Sequence, residues 1–178
     1  MVVVIDIPLI FKNHERFKAQ IEDIKKDIDK YKDFVTDQQR KIRGEADKLN
    51  QYKPGTQEYK QIEEAVARMN MDLQLEGAKR QKEFMEQEAK VYYNTYREIE
   101  KVVEDFAARN GIQLVLRYSS EDMDATKRES IMQGINRIVV YQNRLDITTL
   151  ILERLNRGTQ RQADRTANPV APQIPRRQ

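Results

Sequence analysis

With 178 residues, the chain has room for one domain, or for a small one with an extension. Charged residues make up 34% and aromatics 7%, which is poor material for a compact globule and suits exposed helices with narrow apolar seams. The formal charge of +3 belongs to the end of the chain: residues 157–178 carry five arginines against Asp164, which leaves 27 basic and 28 acidic groups in 1–156. That balance argues against a folded nucleic-acid-binding face, and no specific nucleic acid is expected as a partner.

Val2-Val3-Val4-Ile5 is a β-branched run closed by Asp6 and Pro8, and it reads as a buried strand. The chain then turns directly into helix one, with Pro8 acceptable near its first turn. His14, the single histidine, is expected to be isolated on the surface. From Phe17 the seam positions are Ile21, Ile24, Ile28, Tyr31, Val35, Gln38, Ile42, Glu45 and Leu49, alternating four and three like the heptads of a coiled coil.

Pro54 and Gly55 interrupt this pattern and mark the tip of an antiparallel helical hairpin at residues 52–57, with Thr56 placed to cap the returning helix. Ile42 should then lie near Ala67, Ile28 near Gln81, and Phe17 near Tyr92. Around the tip, Arg40, Lys41, Arg43, Lys48, Lys53 and Lys60 outnumber four acidic groups. This mild excess is where a weak contact with an acidic partner or a membrane surface is expected.

Helix two opens with Tyr59, Ile62, Val66, Met69 and Leu73. A second seam then takes over through Met71, Leu75, Ala78, Lys82, Met85, Ala89, Tyr92, Tyr96, Ile99, Val103 and Phe106, so the phase changes close to Gly77. Gly77 is either a flexing point or a small residue needed for close helix approach. Met69, Met71, Phe84 and Met85 place adaptable apolar groups on and beside these seams. They are candidates for binding a partner, and equally they fill the hairpin interface.

Asn110-Gly111 ends helix two as a left-handed cap would, and residues 112–118 read as a second strand. Residues 119–134 are polar, with a short helix ending at Gly134; Ile135–Gln142 reads as a third strand. Asp146 caps a last amphipathic helix bearing Ile147, Leu150, Ile151 and Leu155. The remainder, 157–178, is expected to be a disordered Pro/Arg tail. The class is therefore α+β, with a long antiparallel coiled-coil hairpin (9–110) projecting from a discontinuous β-body (1–8 and 111–156). Three strands are too few to stand alone, so the body should complete itself by oligomerising, with Val2, Val4, Leu114, Leu116, Ile138 and Val140 as its core candidates.

No catalytic constellation is present. There is no Gly-rich phosphate loop, no nucleophile motif and no cysteine, so neither an enzyme nor a cofactor is expected. No apolar run approaches the ~20 residues of a membrane-spanning helix.

The order of these parts resembles the Skp/OmpH family of periplasmic chaperones for outer-membrane proteins. Residues 2–11 look like the family's opening strand and the start of its first helix, and Lys53–Lys60 looks like its hairpin tip. Residues 99–116 are similar to its helix end and following strand, and residues 145–152 to its closing Asp-Ile-Thr helix start. The resemblance spans nearly all of 1–156. It implies a homotrimer whose hairpins surround a cavity, acting without ATP as a holdase for unfolded outer-membrane β-barrel proteins in the periplasm, with a signal peptide not included in this sequence. The alternative is a trimeric coiled-coil envelope scaffold that binds one folded partner. The hairpin is nearly charge-balanced where well-known members are strongly basic, and no lipopolysaccharide site is carried over.

Overall fold

The structure, a computed structural model, describes residues 1–167. Two compact units divide the chain: one holds residues 1–19 and those from Tyr93 onward, the other Gln20–Tyr92.

In the first unit, strand β1 (Val2–Ile5) runs parallel to β2 (Leu114–Arg117), with Val2 opposite Leu114 and Val4 opposite Leu116. Because side chains alternate across a strand, Val3, Ile5 and Val115 face one way and Val2, Val4, Leu114 and Leu116 the other. The first set packs with Ile10 of helix α1 (Ile7–Asn13), Ile99 and Phe106 of helix α3 (Gln57–Asn110), and Ile147, Ile151 and Leu155. Ile151 and Leu155 belong to helix α5 (Thr148–Ala167). On the second set's face, Val4 is buried, while Val2 and Leu114 remain over 40% exposed.

The third strand expected at Ile135–Gln142 does not form. β1 already has both edges occupied: β2 lies on one, and on the other Val4 donates its N–H to Leu145 O (2.9 Å) and accepts from Ile147 N–H (3.0 Å). Residues 145–147 thus occupy the second edge of β1 through a single bridge. The run Ile138–Tyr141 pairs with neither strand, and Ile138 and Val140 are about nine-tenths exposed. Helix α4 (Arg128–Ile135) covers the short helix expected before Gly134.

Asp6 ties this unit together. It is 2% exposed. One carboxylate oxygen caps α1 by accepting the Leu9 N–H (3.0 Å), and the other accepts both the N–H and the hydroxyl of Ser120 (2.7 Å each). Its own N–H donates to Thr148 Oγ1 (2.8 Å), and Thr148 in turn donates its N–H and hydroxyl to Asp146 at the start of α5. Tyr118 donates to the same Asp146 carboxylate, and burial together with that hydrogen bond raises the phenol's pKa.

Helix one is broken at His14, where the backbone turns extended between α1 and helix α2 (Glu15–Asp47). His14 is a correction to the expected surface histidine, since its ring is fully buried. Nδ1 accepts from Phe17 N–H (3.3 Å), the place an N-cap side chain takes at a helix start. Nε2 has no hydrogen-bond partner and stands 3.8 Å from Glu98, whose carboxylate also approaches Arg16 at 3.6 Å. Burial lowers the His14 pKa below its ordinary 6.5; Glu98 opposes the shift and Arg16 adds to it.

In the second unit, α2 and α3 form the expected antiparallel pair. Ile28 and Gln81 border one groove, and Tyr31 stacks edge-on against Phe84 at 6.2 Å between centroids. Every expected seam position of α2 from Ile21 to Leu49 is at least half-buried. Lys48–Gln51 continue as a 3-10 turn, Gly55 takes a left-handed φ of 91°, and Thr56 Oγ1 accepts from Tyr59 N–H (3.3 Å) as the cap. At the other end of α3, Gly111 (φ 63°) closes the helix with Ile112 N–H bonded to Ala107 O (3.0 Å).

The phase change near Gly77 is also corrected. The half-buried track of α3 runs Tyr59, Ile62, Val66, Met69, Leu73, Gly77, Phe84, Val91, Thr95, Ile99, Val102 and Phe106, which is one continuous phase. A rigid helix facing a rigid partner cannot rotate its interface to follow its apolar residues. The residues assigned to a second seam from Met71 to Tyr96 are therefore exposed. Helix α5 continues to Ala167, which corrects the expectation of disorder for 157–167; residues 168–178 lie outside the described residues.

Two outcomes test this account. Asp6→Ala removes three accepted hydrogen bonds to a charged group and should cost about 3 kcal/mol in denaturant unfolding, with Asp6→Asn intermediate. A loss under about 0.5 kcal/mol would remove Asp6 from its central place. For His14 the folded pKa lies below the unfolded one, so the unfolded chain binds the proton first. Its contribution is complete above about pH 6.5 and is lost as pH falls from there through the lowered folded pKa. Melting temperature should drop between pH 7 and 5, and His14→Asn, which keeps a capping oxygen but does not titrate, should remove that part of the drop. Equal slopes in both proteins would rule this out.

Candidate functional site

Helix α3 carries eight residues at strict four–three spacing: Met71, Leu75, Ala78, Lys82, Met85, Ala89, Tyr92 and Tyr96. Met71, Leu75 and Met85 are each more than 60% exposed, and Tyr92 and Tyr96 nearly half exposed. From Gly77 onward four of the stripe residues directly follow a seam residue: Ala78 after Gly77, Met85 after Phe84, Tyr92 after Val91, Tyr96 after Thr95. One residue is about 100° of helical rotation, so the stripe flanks the seam and turns its apolar atoms to water. Tyr93, 65% exposed, widens it.

The four sequence candidates divide accordingly. Met71 and Met85 stand on the exposed stripe. Met69 lines a depression with Phe34, Gln38, Ile42 and Leu73, and Phe84 packs against Tyr31, so both serve the hairpin interface. Leu75, Tyr93 and Tyr96 are exposed apolar groups outside the four candidates. Counting onward from Tyr59 at the ~3.6-residue period of a straight helix would have found them, because it puts Gly77, Phe84, Val91 and Thr95 at the interface instead.

Near Gly77 the α2–α3 seam is incompletely filled. Ile21, Ile24, Ile28 and Tyr31 of α2 face Gly77, Gln81, Phe84, Met85 and Glu88 of α3 across an apolar groove of about 350 Å³. The Tyr31 hydroxyl is shut from water and has no hydrogen-bond partner. A Cβ placed on Gly77 would sit 3.7 Å from it, an ordinary contact. Close approach therefore does not require the glycine.

The six basic tip candidates are all exposed. Lys41 pairs with Asp37 (2.8 Å), whose pKa the Lys41 hydrogen bond lowers, and Lys48 pairs with Glu45 (2.6 Å). Such surface pairs contribute little to stability. Of the body candidates, Val2, Val4, Leu114 and Leu116 share a sheet face, while Ile138 and Val140 are not brought to it. Among the described residues, no helix is long and apolar enough to cross a membrane.

The model of the OmpH-like outer membrane protein family matches residues 1–155. No curated protein matches the chain. Among solved structures, the chain is similar to a candidate OmpH-like outer membrane chaperone from Caulobacter crescentus CB15, with a TM-score of 0.69 and 19% identity, covering 88% of this chain and 84% of that one. At that identity the likeness speaks for the fold. The match over residues 1–155 speaks for the family: this chain belongs to the OmpH-like outer membrane proteins.

Proposed function

We propose that the protein is an ATP-independent holdase that binds unfolded outer-membrane β-barrel proteins in the periplasm and keeps them from aggregating. The observation that carries this reading is the exposed stripe of α3, in which Met71, Leu75 and Met85 are each more than 60% exposed. Unfolded β-barrel chains expose alternating apolar residues and unpaired strand edges, which associate with one another. A row of flexible methionine and amphipathic tyrosine side chains can hold such a chain through many weak contacts without fixing its conformation. Several helices acting together supply avidity with no need for a nucleotide.

Self-association belongs to the same reading. Ile138, Val140 and Tyr141 are over 80% exposed, and Val2 and Leu114 remain open on a shared sheet face. Apolar groups of strand composition left in water mark an interaction surface. A homotrimer in which copies cover these residues, and whose hairpins enclose the client, accounts for both. The tip cations Arg40, Arg43, Lys53 and Lys60, outside any ion pair among the described residues, would add weak attraction to an acidic client or membrane surface.

The stripe's strict heptad spacing also favours a second reading, a trimeric envelope scaffold that docks one folded helical partner. Capture of a single folded protein, with indifference to unfolded chains, would select it.

At stoichiometric amounts and without ATP, the protein should suppress light scattering by a β-barrel protein diluted from urea. Replacing Met71, Leu75 and Met85 together by Gln should weaken suppression several-fold while leaving the melting temperature within a few degrees. No suppression across several clients would sink the holdase. In light scattering the wild-type mass should be that of three chains, and Ile138→Asp with Val140→Asp should reduce it; a wild-type monomer would overturn the assembly.

A further inference from the structure

The exposed stripe leaves the groove over Ile21, Ile24 and Ile28 unexplained. Its origin lies in the mismatch between the two helices. α2 keeps an apolar seam there, while α3 offers Gly77, which has no side chain, and Gln81 and Glu88, which reach outward to water. The isoleucines are only half-buried in consequence.

Tyr31 makes this more than an imperfection of packing. Its hydroxyl is enclosed by protein and bonded to nothing, in a pair of helices otherwise bathed in solvent. A buried unpaired hydroxyl is unfavourable, and here the remedy is near. Rotating the ring away from Gly77 frees the hydroxyl and widens the groove at the same time. The hydroxyl lies over Gly77, where an added Cβ would stand 3.7 Å from it, and the ring packs against Phe34 and Phe84.

We propose that this groove is a slot for one large apolar side chain of an extended peptide segment, with Tyr31 as its movable wall. The side chain covers Ile24, Ile28 and Phe84, and the released phenol pairs with a backbone carbonyl of the same segment. Chemistry favours a peptide over an acyl chain. A hydrocarbon would fill the groove but offer the hydroxyl nothing, whereas an extended peptide brings an apolar side chain and unpaired backbone groups together. Because its neighbours in an extended chain point away, one residue enters while the flanking ones meet Lys25, Lys32 and Glu88 at the rim. This inference rests on the holdase reading and names which piece of the client engages the hairpin.

The test uses the full chain and a fluorescent ten-residue peptide of alternating Phe and Ser, followed by anisotropy. Tyr31→Phe should bind it roughly 3- to 10-fold more weakly, the loss of about one hydrogen bond, while melting at the same temperature as the wild type or higher. Gln81→Phe, introduced at an exposed position, should fill the groove and weaken binding at least as much. Unchanged affinity in both variants, while the wild type still suppresses client aggregation, would overturn the slot and leave the holdase standing. A wild type that neither binds the peptide nor suppresses aggregation removes both. Displacement of the peptide by dodecanoate with Tyr31→Phe indistinguishable from wild type would make the groove an acyl-chain site instead. A melting temperature lowered by several degrees in Tyr31→Phe would mean the hydroxyl is already satisfied, and the slot falls.

Discussion

A buried carboxylate is the fixed point of the β-containing unit. Asp6 ends β1, starts α1, holds the segment after β2 through Ser120 and holds the start of α5 through Thr148. A carboxylate out of water is costly unless its oxygens are fully engaged, and here three donors engage it. The requirement runs both ways. Segments far apart in sequence must meet to satisfy Asp6, and once they do, the small core of Val3, Ile5, Ile10, Ile99, Phe106, Ile147, Ile151 and Leu155 closes around it. Two four-residue strands could not set that arrangement by themselves.

The hairpin is governed by a different constraint, the phase of an antiparallel helix pair. α2 keeps one apolar row from Ile21 to Leu49, and α3 answers with the row that begins at Tyr59. Midway along α3 the apolar residues step sideways, but the interface does not follow. Two features result from that single offset: an apolar stripe facing water, and a groove where the facing row lacks the bulk to cover α2. Sequence divergence between the packing row and the apolar row is thus how a simple hairpin comes to carry a surface.

Much of this was legible in the residues. The tip with its Thr56 cap, the left-handed Gly111, both strands, the α2 seam and the capping Asp146 all follow from local rules in which one residue type does one physical job. The misreadings share a cause. The phase of α3 downstream of Leu73 was read from where apolar residues lie, although the partner helix decides it. Ile138-Val-Val-Tyr141 has strand composition but pairs with neither strand, while Leu145–Ile147 occupies the second edge of β1. His14 reads as a surface residue because nothing in its neighbours announces a cap. Met69 and Phe84 against Met71 and Met85 could be told apart only by the helix rotation that separates them.

Parallel pairing of β1 with β2 also carries a kinetic consequence. The first residues of the chain bond to partners 112 positions later, and Asp6 to Thr148, 142 positions away. Such contacts lose loop-closure entropy before they return any binding energy, which slows folding. The α2–α3 hairpin, by contrast, can zip from its tip through near neighbours and shorten the loop that the strands must close. Val2–Ile5 is made long before its partners at 114–117 and 145–147, so every newly made copy passes through a stage with an unpaired apolar strand of its own.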